Sequence, residues 1–263
     1  MLYLLLFVIS LFGGFLSGFL GIGGAVAISP LLLLLPPLFG LGDISMKTIA
    51  GLSSMQVFFG SLSGTIIHRK NNFIHHKLFI YLGIPLAISA LFGSYISRFL
   101  PNVSLLIMLD FFILISFIMM LYMLRIKDHM LEDTDKELNV IYAIIVGITT
   151  GFISGIIGAG GGVIMIPLFL SVFKLKVKVA IGTSLAIVFL GSIFGAAGKI
   201  LSGQVEYLMA VPIVVGSLIT AQIGAKVNKI TPPQMIKKLL IAVLIFSLLQ
   251  VSYKILKYMG ILP

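Results

Sequence analysis

Charged residues divide this chain into long apolar runs. Residues 1–42 carry no charge at all. Thr48 to Ile67 lies between Lys47 and the pair Arg69–Lys70, Leu78 to Ser97 lies between Lys77 and Arg98, and Phe99 to Leu124 is interrupted only by Asp110. The mixed-charge stretch RIKDHMLEDTDKE follows, from Arg125 to Glu137. Asn139 to Phe173 is again uncharged, and Val179 to Gly198, Tyr207 to Ala225 and Pro233 to Tyr253 complete the series. A membrane-spanning helix needs about 20 apolar residues, since about 30 Å of hydrocarbon is crossed at 1.5 Å per residue. Six runs fit one crossing each. The two that open the series, before and after the polar stretch, are too long for one.

Glycine breaks both of these long runs. The first predicts helices over Leu2–Leu20 and Ala25–Phe39, separated by Gly21–Gly24. The second predicts Val140–Ile157 and Val163–Phe173, separated by Gly158–Gly162. The openings are also copies of each other. GFLSGFLGIGGAVAISPL, from Gly14, aligns without a gap on GFISGIIGAGGGVIMIPL, from Gly151, with ten of eighteen positions identical. Further on, Gly51-Leu52-Ser53 falls on Gly182-Thr183-Ser184 and Pro101 on Pro232, after a longer connection around Pro36 to Asp43 in the first copy. The expected organisation is a first transmembrane repeat over 1–125, a cytoplasmic linker over 126–137 and a second repeat over 138–263.

Composition agrees with lipid as the solvent. Hydrophobic residues make up 59% and charged residues 10% of 263 positions, against about 25% charged in a soluble domain. The net charge of +10 is carried by short basic clusters between apolar runs, as membrane orientation requires, and no basic face with interleaved aromatics points to nucleic acid. There is no Cys, which excludes disulfides and thiolate chemistry. The first apolar stretch lacks a basic n-region and a cleavage site, so it is expected to stay as a helix.

The basic residues also decide topology. If each broken opening crosses once, the 18 Lys and Arg divide evenly between the two sides. If each returns to its own side, five (Lys47, Arg98, Lys199, Lys254, Lys257) fall on one side and the other thirteen of the 18 on the opposite side. The positive-inside rule selects the second arrangement. The predicted fold is therefore an all-α polytopic membrane protein of two inverted-topology repeats. Each repeat has a Gly-broken helical hairpin plus three transmembrane helices, 8 to 10 membrane segments in all. Both termini are expected outside the cytoplasm, in a multi-pass cell-membrane protein.

Backbone that leaves a helix inside lipid strands N–H and C=O groups, and survives only where protein or a water-filled cavity covers it. A helix starting after such a break aims free N–H groups and a positive dipole end inward. Two such ends at a repeat interface suit an anion. Gly23, Gly24, Ala25, Gly160, Gly161 and Gly162 are the candidate cradle. Ser53, Ser54, Gln56, Thr183 and Ser184 are candidate polar contacts, with interhelical bonding as their alternative role. Gly14/Gly18 and Gly151/Gly155 have the spacing of close helix packing. Asp110, the one acid clearly inside a predicted span, is a candidate for proton coupling or for bonding a neighbouring helix. His68 and Lys199 occupy equivalent positions and are read as interfacial. A serine nucleophile at Ser17 or Ser63 would need a base, and His68 is the only His near a span; no enzyme, metal site or cofactor is expected. A channel could use the same glycine loops.

The paired motifs GFLSGFLGIGGAVAISP and GFISGIIGAGGGVIMIP, followed by AGLSS and IGTSL, resemble the TauE/SafE family of sulfite and organosulfonate exporters over nearly the whole chain. The resemblance implies a secondary transporter, an exporter, of small sulfur-containing anions such as sulfite or sulfonates. An anion channel, or a carrier of another small carboxylate or anion, is the alternative. Its partners would be the small anionic substrate and the lipid bilayer, with a homodimer as an open oligomeric state. The second copy matches the pattern more fully: Ala25 stands where the second has Gly162, and Leu52 where it has Thr183. More hydroxyl contacts are therefore expected from the second half.

Overall fold

The computed structural model describes residues 1–70, 73–124 and 139–260. The predicted linker over 126–137 and the repeat boundary at 125 lie outside the described residues, and the side chains of His68, Arg69 and Lys70 are likewise not described. Every regular element among the described residues is helical. The first five helices are α1 (Leu2–Leu20), α2 (Ala25–Leu38), α3 (Met46–Lys70), α4 (His76–Phe99) and α5 (Asn102–Leu124). The second five are α6 (Val140–Ile157), α7 (Gly162–Ser171), α8 (Val177–Leu201), α9 (Tyr207–Ile230) and α10 (Pro233–Tyr258). Helix α4 is continuous through a π-helical turn at Phe79–Gly83 and closes in a 3-10 turn at Ser97–Phe99.

Seven of these helices (α1, α4, α5, α6, α8, α9 and α10) are long and apolar enough to cross a membrane. Helix α3 has 25 residues, as does α8, but Ser53, Ser54, Gln56, Ser61 and Ser63 make it too polar for that test. All five of these side chains are buried in the protein, so α3 is a central helix rather than a lipid-facing one. Helices α2 and α7 have only 14 and 10 residues.

After each break the chain turns back towards the start of the preceding long helix, with α2 packed on α1 and α7 packed on α5 and α8. Gly13 in α1 faces the Ile28 side chain of α2, at 3.4 Å from where its own Cβ would stand. The Tyr142 ring at the start of α6 lies 6.2 Å from the Phe173 ring just beyond α7. Both openings are therefore antiparallel hairpins with the glycine break at the tip.

The hairpins pack into the opposite half of the chain. Helix α1 lies alongside α9, with Ser10 Oγ donating to Pro212 O (3.1 Å) and Asn228 Nδ2 donating to Phe19 O (2.7 Å). Helix α6 lies alongside α4, with Gly147 against Leu82 and Gly155 against Ala90. Helices α3 and α8 pack on each other at the centre, and α5 packs on α10. One end of the bundle gathers the start of α3 and the end of α4, where Lys47 Nζ donates to Arg98 O (2.7 Å). It also holds the end of α10, where Lys254 pairs with Asp43 (2.7 Å). At the other end Lys178 Nζ donates to Lys229 O (2.7 Å).

Small residues permit the close α1–α9 and α4–α6 approaches, as the spacing of Gly14/Gly18 and Gly151/Gly155 predicts. A Cβ at Gly18 would overlap the carbonyl of Ala221, and one at Gly93 the carbonyl of Phe152. These are backbone contacts that no side-chain rotation relieves. Gly18→Ala should therefore destabilise the protein by about 1–3 kcal/mol, the usual cost of overpacking. Thermal unfolding in detergent would register this as a lower Tm, and an unchanged Tm would mean that α1 and α9 do not sit this close.

Candidate functional site

The two glycine breaks meet at the middle of the bundle. Val57, midway along α3, and Val188, midway along α8, both touch both breaks. A Cβ at Gly23 would stand 3.0 Å from a methyl of each valine, and a Cβ at Gly160 would stand 2.6 Å from Val57 and 3.3 Å from Val188. The breaks also touch directly, since a Cβ at Gly162 would overlap the carbonyl of Ile22. Helix α2 starts at Gly24 (φ 82°) and α7 at Gly161 (φ 85°), both left-handed caps without a capping side chain. Only glycine adopts that conformation without strain. Both short helices therefore begin at the central contact, where the Gly162 N–H is bonded to Ala159 O (3.4 Å) and the Ala27 N–H to Gly24 O (3.0 Å). Ala25 and Gly162, the first helical residues, are buried.

The candidate polar side chains divide into three groups. Gln56 lies against the first break, its amide so close to Gly24 that a Cβ there would overlap Nε2. It is fully buried, and neither its Oε1 nor its Nε2 has a hydrogen-bond partner. The Ser17 hydroxyl is also buried without a partner, and both it and the Gln56 amide line Gly60. Two unbonded polar groups thus stand together beside the start of α2. An unsatisfied buried polar group costs about 1–3 kcal/mol, so this is where a polar ligand or water has most to gain.

The second group stitches the breaks in place. Ser184 Oγ donates to Gly21 O (2.8 Å), and the Ser53 and Ser29 hydroxyls share a bond of 3.0 Å that ties α3 to α2. The third group is engaged elsewhere. Ser54 Oγ donates to Gly51 O of its own helix (2.7 Å). Thr183 Oγ1 accepts the His75 N–H (2.9 Å) just ahead of α4. Asp110 accepts from Ser252 Oγ at 3.1 Å on both oxygens, across the α5–α10 contact and in no bond with either break.

The halves differ in which of these side chains are already bonded within the protein. Thr183 and Ser184 of the second half are already bonded, whereas the unpartnered pair, Ser17 and Gln56, sits at the first break. Beside the second break stands Leu86, 3.1 Å from a Cβ built on Gly161. Ser17 stands in the duplicated GFLSG motif, but its role as an unpartnered group follows only from its burial beside Gly60.

Lys199 departs from its expected interfacial position. It lies in the last turn of α8, as the apolar run predicts, but it is fully buried. Its Nζ donates to Ser97 Oγ (2.7 Å), Ile156 O (2.9 Å) and Gln204 Oε1 (2.9 Å). All three acceptors are neutral. Ile156 O belongs to the last turn of α6, directly ahead of the second break, and it corresponds in the repeat to Phe19 O, which Asn228 caps. An ammonium thus does at one break what an amide does at the other. A lysine between two apolar segments reads as a flanking residue, so its burial was not visible in the pattern.

The family described as Sulfite exporter TauE/SafE matches residues 6–251. The chain is 27% identical to the "Probable membrane transporter protein YunE" of Bacillus subtilis over 97% of this chain and 98% of that protein. It is 29% identical to a protein of Methanocaldococcus jannaschii, also named as a probable membrane transporter, over 91% of each chain. A third relative, "Probable membrane transporter protein YdhB" of Bacillus subtilis, is 28% identical over 85% of this chain and 89% of its own length. No solved structure matches the chain.

The unpartnered amide makes a stability prediction with a defined sign. Gln56→Leu removes two unsatisfied polar atoms at nearly constant volume, so it should leave the protein as stable or more stable, by up to about 1–3 kcal/mol. Thermal unfolding in detergent without added anion measures it. A fall in Tm of that size would mean that the amide is bonded in the protein as it stands.

Proposed function

The chain belongs to the TauE/SafE family, and from that premise we propose that it is a secondary transporter of small sulfur-containing oxyanions, sulfite or organosulfonates, acting as an exporter. The observation that carries the reading is the central meeting of two glycine breaks beside the buried, unpartnered Gln56 amide. Backbone N–H groups at the starts of α2 and α7 attract negative charge. The Gln56 amide and Ser17 hydroxyl supply further donors for oxyanion oxygens without burying a fixed countercharge beside them. Nothing in this arrangement calls for chemistry on the solute, and it is read as a carrier rather than an enzyme.

The mechanism proposed is alternating access around this centre by two inverted repeats. Three features support it. The hairpins enter from opposite ends of the bundle and each returns to its own end. The main contacts come in exchanged pairs, α1 with α9 and α6 with α4. Lys47, Arg98, Lys199 and Lys254 gather at one end, which positive-inside counting makes the extracytoplasmic one. On this topology both termini are outside and the chain is a multi-pass cell-membrane protein.

The deciding experiment is counterflow in proteoliposomes, with sulfite, thiosulfate, sulfoacetate and taurine set against uncharged solutes. Saturable exchange of sulfur oxyanions is expected. Flux that rises linearly with concentration would replace the carrier by a channel, and preference for a carboxylate would replace the substrate class. Gly161→Leu, which forces a side chain into a left-handed position 3.1 Å from Leu86, should abolish exchange while the protein still inserts; full exchange would remove the glycine cradle from the site. Asp110→Asn tests proton coupling, and an unchanged pH dependence of flux would assign Asp110 to helix bonding through Ser252. For topology, single cysteines at Lys176 and Glu206 should label from the cytoplasm and from outside respectively, and the opposite pattern would invert the assignment.

A further inference from the structure

One face of α8 joins the second glycine break to the buried ammonium. Val188, Ser192, Gly195 and Lys199 recur at three- and four-residue spacing and so lie in a single stripe. Val188 touches both breaks, and the Ser192 Cβ lies 3.7 Å from a Cβ built on Gly160. Gly195 is the next member. It is buried, yet a Cβ built on it would meet no heavy atom within 4 Å. It therefore borders open space inside the protein. Lys199 follows one turn later, about 6 Å along the axis. The equivalent stripe of α3 is closed: Gly64, the counterpart of Gly195, is met by Leu185 at 3.2 Å and by the Gly18 Cα at 3.4 Å.

The Lys199 amino group at the end of this stripe is bonded to neutral oxygens only. Ser97 Oγ, Gln204 Oε1 and Ile156 O complete its three donor positions, and no carboxylate pairs with it among the described residues. The nearby end of the bundle adds the cations Lys47 and Arg98, together with the acids Asp43, paired with Lys254, and Glu206. Ser97 and Gln204 also bond each other through Gln204 Nε2 (2.9 Å). They can keep that bond when Lys199 exchanges an acceptor, so an arriving oxyanion can replace one neutral oxygen at Nζ.

Resting on the anion-transport reading, we propose that Lys199 is the countercharge of an internal anion path, which runs along α8 from the second glycine break, through the space at Gly195, towards the extracytoplasmic end. Its ligand class is a small oxyanion. The break supplies neutral N–H donors and Lys199 the only fixed charge bonded within this stripe, so Lys199 sets the preference for anions over neutral solutes of similar shape.

The chain has no Cys, so Gly195→Cys gives a single thiol in the space itself. It is tested in proteoliposomes with methanethiosulfonate reagents of similar size, one carrying a sulfonate and one a trimethylammonium group, each rate normalised to that with a free thiol. The anionic reagent should be favoured about tenfold, as expected for one unit charge close by in a partly shielded site. Sulfoacetate, which unlike sulfite does not consume the reagent, should slow the reaction. Lys199→Gln in the same chain should bring the ratio to about one, and Lys199→Arg should keep it. No reaction with either reagent, when the denatured protein does react, overturns the path. A ratio of about one before any change at Lys199, or one that Lys199→Gln does not alter, overturns the countercharge; the first of these decides the matter even if Lys199→Gln fails to insert. Sulfite counterflow separates the two readings. Exchange with a charge-indifferent thiol leaves the transporter and removes the path, whereas a Lys199-dependent ratio without exchange of any anion leaves the charged path and removes the transport reading.

Discussion

Backbone that leaves a helix inside a bilayer has no water to bond, so each freed N–H and C=O must find protein or a polar ligand. This protein breaks two of its helical hairpins in mid-bundle, and the packing around those breaks follows from covering them. Carbonyls at the ends of the long helices are capped by side chains of other helices, Phe19 O by Asn228 of the opposite half and Ile156 O by Lys199 of its own half. Gly21 O is capped by Ser184. The breaks then close on each other and on Val57 and Val188. Glycine is required where two backbones pass this closely, as at Gly162 against Ile22, and where the short helices begin with positive φ, at Gly24 and Gly161. The polarity of α3 has the same origin. Its serines and Gln56 are a liability in lipid but an asset beside an interrupted backbone.

The two breaks are covered by unlike side chains, so the two halves are unequal. The first break faces Gln56 and Ser17 and is capped by a neutral amide. The second faces Leu86 and is capped by an ammonium. A buried ammonium costs several kcal/mol in desolvation even when bonded, and three neutral acceptors recover only part of that. Lys199 is an expensive way to hold one carbonyl when Asn228 shows that an amide suffices. The additional function proposed for Lys199 gives that cost a reason.

Much of the fold was legible in the sequence because membrane helices announce themselves by length and charge. The predicted breaks fall where the helices end: α1 stops at Leu20, α2 starts at Ala25 and α6 stops at Ile157. The long spans run a few residues past the charge-bounded runs, since Lys and Arg side chains at the ends can reach out to water while their backbone stays helical. The site was legible only by type. That Ser54 would bond its own helix, that Thr183 would serve the turn before α4 and that Gln56 would be left unbonded all depend on which helix crosses which. Some of those crossings join residues as far from each other in sequence as Phe19 and Asn228. Lys199 was misplaced for the same reason: its acceptors come from α4, α6 and the connection after α8, and no local pattern brings them together.

The exchanged packing also constrains how the centre can change shape. Each hairpin tip is covered by helices of both halves, so opening either break displaces contacts on α3 and on α8 together. Moving α1 must move its companion α9, and with it Asn228, while the carbonyl that Asn228 caps travels along as part of the same unit. The α6–α4 pair behaves likewise, carrying Ile156 O together with Ser97, whose shared partner is Lys199. Between the two units lies the contact of the breaks themselves, at Ile22, Gly162, Val57 and Val188, where packing is apolar. Ser184 to Gly21 is the exception, a single bond of 2.8 Å across that seam. On the alternating-access reading, the bonded carbonyls keep each unit rigid and the glycine–valine seam supplies the sliding surface. The proposed anion site lies on that seam, beside Gln56, where a bound oxyanion would touch both units and so sense their relative position.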